Sequence, residues 1–178
     1  MVKNKHGGGS KTTVNGLKFE QTTDLSTAIE NHGKYTLKDG KIFSGENELG
    51  LVTQKHQMYK VILEPNHVKW EDEISKKILP DDVLYLYKKR VFCQAKKVFI
   101  IEKKYQEDNG SVDEKLQTCD FKLKTYKKLF RSITRKVEYI YVLSDWYKNE
   151  KYKDTLDYIV SKKCKYYFNE IPLEELGL

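Results

Sequence analysis

The order of periodic segments along the chain predicts an α/β fold, a mixed sheet flanked by helices. Three observations carry that expectation. Pro80 to Gln106 reads as two apolar strands around a basic turn, a hairpin. Leu116, Cys119, Leu123, Tyr126 and Phe130 then recur at helical spacing, a stripe that packs on a sheet with its lysines outward. Val137 to Leu143 is apolar almost throughout, which suits a strand covered on both faces. At 178 residues the whole chain, 1–178, is expected to form one domain with a sizeable core.

Taken in order, Met1 to Asn15 is polar around Gly7-Gly8-Gly9-Ser10-Lys11. The GxxxxGK[ST] spacing of a phosphate-binding loop is missing, so residues 1–15 are read as a flexible arm that could order on DNA. From Gly16, the residues Leu17, Phe19, Leu25, Ala28 and Ile29 form an imperfect helical stripe with Gly33 as its C-cap. Tyr35 to Leu37 turns at Lys38-Asp39-Gly40 into Lys41 to Phe43, a tight hairpin, and further β-like residues surround Ser44-Gly45. Tyr59 to Leu63 is a short strand candidate closed by Pro65. Trp70 to Leu79 reads as an amphipathic helix, with Glu71, Asp72 and Glu73 serving its dipole. Beyond the central hairpin, Ser111 and Glu114 make a capping box. A helix over Lys151–Lys163 burying Leu156, Ile159 and Val160, then a strand Lys165–Phe168, complete the order.

Composition narrows the function classes. No apolar run approaches the roughly 18 residues of a membrane span, and Met1-Val2-Lys3-Asn4-Lys5 lacks the apolar core of a signal peptide. A soluble, cytoplasmic protein is expected, with no membrane partner. Cys93, Cys119 and Cys164 form no CxxC pair and are expected to be reduced and mostly buried. His6, His32, His56 and His67 show no metal-ligand spacing. The net charge of +7 is concentrated around the hairpin, at Lys88, Lys89, Arg90, Lys96, Lys97, Lys103 and Lys104, and after it from Lys122 to Lys136. Such clustering suits a polyanion, because each neutralised phosphate releases counterions.

The hairpin is where chemistry concentrates. Strand alternation puts Val98, Ile100, Glu102 and Lys104 on one side and Phe99, Ile101, Lys103 and Tyr105 on the other. A carboxylate from the first strand is thereby brought beside an acid and an amine on the second. Pro80-Asp81, a spacer, then Glu102-Lys103-Lys104 after an apolar strand resembles the PD-(D/E)XK nuclease superfamily, which includes many type II restriction endonucleases, resolvases and repair nucleases. The resemblance covers Asn15 to Glu20 and Pro80 to Lys115.

It implies a restriction-endonuclease-like αβββαβ core and a metal-dependent endodeoxyribonuclease. Asp81, Glu102 and the backbone carbonyl of Lys103 would hold one or two Mg²⁺ ions, for which Mn²⁺ can substitute. Lys104, on the Glu102 face, would position or deprotonate the attacking water, which is why it is preferred to Lys103. Asp82 stays a rival for Asp81, since a slip of one residue exchanges them; Asp81 directly follows the proline. Glu20 is the candidate fourth acid, and Gln106 the candidate to orient water or meet phosphate. Lys96, Lys97, Ser111 and Lys115 are the candidate DNA contacts. Double-stranded DNA and a second copy of the chain, forming a homodimer, are the implied partners. Two other readings stay open: a structure-specific resolvase or repair nuclease on the same fold, and a non-catalytic nucleic-acid-binding module.

Overall fold

The computed structural model describes residues 8–87, 95–107 and 113–178. These residues form a seven-stranded mixed sheet with helices on both faces, its strands ordered as they occur in the chain. The strands are β1 Thr36–Lys38, β2 Lys41–Ser44, β3 Asn47–Thr53, β4 Asp82–Tyr87, β5 Ala95–Lys104, β6 Val137–Leu143 and β7 Lys165–Phe168. β1 to β5 pair antiparallel, whereas β5, β6 and β7 run parallel. The helices are α1 Gly8–Thr22, α2 Leu25–Asn31, α3 Cys119–Leu129, α4 Lys153–Ser161 and α5 Leu173–Leu176.

Alternation along the central strands builds a separate core on each face. Val83, Tyr85, Val98, Ile100, Val137, Tyr139 and Tyr141 point to the layer of α3 and α4, against Leu123, Tyr126 and Ile159. Leu84, Leu86, Phe99, Ile101, Ile140 and Val142 point the opposite way, against Phe19, Leu25, Ile29, Leu173 and Leu176. Each such side chain, fully withdrawn from water, contributes roughly 1.5–3 kcal/mol of transfer free energy. Strands covered on both sides must be apolar at every position, which is why β4 and β6 read as continuous apolar runs.

The strands of the central hairpin, the first hairpin, β6 and β7 stand where the sequence places them, whereas the helix expected to start at the Ser111–Glu114 capping box is a tight 3₁₀ stretch over Asp113–Thr118 and becomes α3 only at Cys119. Asp39 (φ 52°) and Gly40 (φ 77°) form the two-residue turn between β1 and β2. Gly33 (φ 77°) follows α2 as the expected left-handed stop.

Five further expectations are corrected. The N-terminal stretch is no arm over its whole length, because α1 starts at Gly8. The helical stripe from Leu17 is divided in two: the Thr22 and Thr23 hydroxyls donate back to the Phe19 carbonyl at 3.1 and 2.7 Å, and Asp24 caps α2 by accepting from the Thr27 amide at 2.9 Å. Tyr59–Leu63 is a wide helical turn and not a strand; Met58, Tyr59, Ile62 and Leu63 are all buried, a helical spacing that a five-residue window hides. Trp70 to Leu79 forms only one turn, Trp70–Asp72, because the Tyr59 hydroxyl donates to the Ile78 carbonyl (2.9 Å) and accepts from the Ile78 amide (3.0 Å), holding that residue out of a helix. Val160 is 59% exposed, and the buried stripe of this region runs through Tyr152 and Ile159, with Leu156 packed against it. β3 and α5 had not been read as separate elements.

Candidate active site

The site lies at the C-terminal end of β5, where the parallel part of the sheet opens and α/β sheets characteristically bind ligands. Its geometry follows from register. Val83 pairs with Ile100 and Asp82 with Ile101, so one further step brings Asp81 opposite Glu102. Parity then sorts the rival aspartates: Asp81 shares the face of Val83, Ile100, Glu102 and Lys104, and Asp82 shares the face of Leu84, Ile101 and Lys103.

On the first face the predicted oxygens converge on one cation. The Lys104 ammonium is 3.0 Å from Glu102 Oε2, 2.9 Å from the Lys103 carbonyl oxygen and 3.8 Å from Asp81 Oδ2. Asp81 Oδ2 also accepts the Lys103 backbone N–H at 2.7 Å, which fixes the carboxylate against the end of β5. Glu102 is only 5% exposed. It sits above the buried phenols of Tyr126 and Tyr139, whose pKa values are raised, by burial first and by the Glu102 charge second.

On the opposite face Asp82 and Lys103 make a buried pair. Lys103 Nζ is 2.8 Å from Asp82 Oδ2, an ionic contact rather than a well-directed hydrogen bond, and donates to the Glu20 carbonyl at 3.1 Å. Gln54 Nε2 bridges Asp82 Oδ1 (2.7 Å) and Asp24 Oδ2 (2.8 Å). Burial pushes the Asp82 carboxyl above its usual range, outweighing the opposing pull of Lys103 and Gln54.

The other predicted residues are dispersed. Glu20 lines an open cleft of about 360 Å³ with Asp24, Gln54, Asp81 and Lys103, so it shares a wall with Asp81. Gln106 is turned into the core, 4% exposed, with its side-chain carbonyl accepting from the Tyr147 hydroxyl at 2.9 Å. The alternation that would have aimed it at the site ends with β5 at Lys104. Lys97 lies five positions before Glu102, about 17 Å back along the strand, paired with Glu138 and over the Phe99 ring. Lys115 is exposed ahead of α3. Ser111 and the Lys96 side chain lie outside the described residues, as do Lys88, Lys89, Arg90 and Cys93.

One group was not singled out from sequence: Lys122 of α3 reaches Glu102 Oε2 at 3.0 Å. Its position beside the buried stripe of Cys119, Leu123 and Tyr126 was a signal, since such a lysine borders the sheet rather than open solvent.

Among the described residues no group of three or more His, Cys, Asp or Glu side chains converges. The two carboxylates and the carbonyl gathered on Lys104 are nonetheless hard oxygen donors around a positive charge. That set fits Mg²⁺, which is commonly held by one or two carboxylates with water and phosphate completing its shell. No helix among the described residues is long and apolar enough to cross a membrane. The chain matches no family model, and comparison with curated proteins and with solved structures returned no match.

Proposed function

We propose that this chain is a Mg²⁺-dependent DNA endonuclease of the PD-(D/E)XK type. In that reading α1, which carries Asn15 to Glu20, the β3–β4–β5 meander, α3 and β6 are its αβββαβ core, and α2, β1, β2, β7 and the remaining helices are additions to it. The carrying observation is the convergence of Asp81, Glu102 and the Lys103 carbonyl on the Lys104 ammonium, at 2.9–3.8 Å, at the open end of the sheet.

Asp81, Glu102 and the Lys103 carbonyl would hold the ion, which when bound lowers the pKa of a water and offsets charge on the phosphate. Asp81 is oriented by the Lys103 amide, and Glu102 by its place on a strand buried on both faces. Lys104 keeps its ammonium at the solvent edge, 17% exposed, where it can hold a proton, position water and meet the negative charge that grows on the phosphate in the transition state. DNA would approach along the α3 side, where Lys115, Lys127 and Lys128 are exposed. Two copies acting together would cut both strands of a symmetric sequence.

The test is incubation of supercoiled plasmid, linear DNA and four-way junctions with the protein, in Mg²⁺ and in EDTA. Discrete Mg²⁺-dependent plasmid fragments are expected, abolished by Glu102→Gln or Asp81→Asn and slowed about 10²-fold or more by Lys104→Ala. Cutting confined to junctions would assign the structure-specific class instead. Retained DNA binding with no metal-dependent cleavage of any substrate would replace the nuclease reading by a non-catalytic binding module.

A further inference from the structure

Helix α3 contributes to this site a charge that lies outside the strand motif. Lys122 Nζ and Lys104 Nζ both stand 3.0 Å from one atom, Glu102 Oε2. The Glu102 side chain is 6% exposed, whereas Lys122 is 28% exposed and lies on the solvent side of it. Two carboxylates, Asp81 and Glu102, thus face two ammonium groups, and the cluster is neutral as it stands. Lys122 is anchored at its backbone by the buried neighbours Cys119, Leu123 and Tyr126, but its flexible four-carbon stem lets the charged end turn outward. Lys124, two residues on and so about half a turn round the helix, is paired with Asp120 at 2.9 Å.

A divalent cation taking up Glu102 Oε2 cannot share that oxygen with two ammonium groups, because like charges at such distances repel strongly in a partly buried setting. Lys104 stands on the strand that carries Glu102, two residues on, and is 17% exposed; Lys122 comes from a separate element, has Glu102 as its ion-pair partner among the described residues and is the more exposed of the two. We propose that Lys122 is an exchangeable counter-ion: it neutralises Glu102 while no metal is bound, and on metal binding it is released toward a phosphate oxygen of the polyanionic substrate. The proposal rests on the nuclease reading for its second half only.

The experiment compares the full chain with Lys122→Met, Lys122→Gln and Lys124→Met, measuring Mg²⁺ binding by calorimetry without DNA and, separately, single-turnover cleavage. Lys122→Met and Lys122→Gln should bind Mg²⁺ several-fold more tightly than the parent while cleaving at least tenfold more slowly; a further variant, Lys122→Arg, should recover cleavage in part, and Lys124→Met should leave Mg²⁺ binding unchanged. Unchanged or weaker Mg²⁺ binding in Lys122→Met and Lys122→Gln overturns the exchange. Tightening in Lys122→Met alone also overturns it, because a retained hydrogen bond, not charge, would then be what holds Glu102. Tighter Mg²⁺ binding with no cleavage by any form, parent included, upholds the exchange and removes the nuclease reading. Equal cleavage by parent and variants removes the phosphate role.

Discussion

Asp82 and Lys103 show what a one-residue step in a strand can do. They are sequence neighbours of Asp81, Glu102 and Lys104, yet they lie across the sheet, with side chains 0% and 3% exposed. Burying such a pair costs desolvation, and removing one partner strands the other charge, typically costing about 3–5 kcal/mol. Lys103→Met should therefore destabilise the fold by about that amount in urea unfolding. The double variant Asp82→Asn, Lys103→Met should recover much of the loss; a double variant as unstable as the single would show that Lys103 acts through packing or through the Glu20 carbonyl. The pH dependence has a definite sign. The folded carboxyl of Asp82 titrates above its unfolded value, so the folded state holds that proton more tightly. Its contribution to stability is fully present below the ordinary aspartate pKa and declines as pH rises through the raised folded value. In Lys103→Met that decline should be steeper, visible as a larger fall in denaturation midpoint between acid and neutral pH than in the parent.

At the scale of elements, the strands were legible where both chemistry and parity spoke. The period of two is rigid, so assigning Lys104 rather than Lys103 to the Glu102 face needed only the motif and counting. Short apolar runs were not legible: Tyr59–Leu63 satisfies strand and helix patterns alike, and its true state is set by Ile62 and Leu63 meeting a core assembled from distant residues. The Lys122–Glu102 contact was legible only in part: the buried stripe of α3 puts Lys122 at the border of the sheet, but which strand residue it meets there is a tertiary quantity. β3 escaped notice because Gly50 interrupts its pattern, and the structure gives that glycine a task. A side-chain carbon at Gly50 would lie 2.3 Å from the Tyr85 carbonyl oxygen of β4, beside the register shift between Ile42 and Phe43. Gly50→Ala should cost about 1–3 kcal/mol, as overpacking against backbone does. A denaturation midpoint unchanged from the parent would mean that β3 and β4 separate at little cost.

Over the whole molecule, the excess of positive charge is the property a polyanion meets first. The chain carries +7, and several lysines on the outer side of α3, among them Lys127 and Lys128, are exposed. If the chain acts on double-stranded DNA as proposed, that binding should weaken linearly in log K with log salt. Replacing Lys127 and Lys128 by alanine should lower the slope by about 1 for each phosphate contact removed; an unchanged slope would take this face out of the interface. The site's support is also distributed over the molecule. β5 is held from one side by α3 and from the other by α1, through the Lys103–Glu20 carbonyl bond, the Asn15 amide donating to both Glu107 oxygens at 2.9 Å, and Phe19 lying 5.5 Å from the Tyr105 ring. In mechanical terms α1 is a handle on the strand that carries the candidate site. Tension applied along it would load the end of β5 that carries Glu102 and Lys104, so a pull on α1 should disturb the candidate site while the ladder of the sheet still stands.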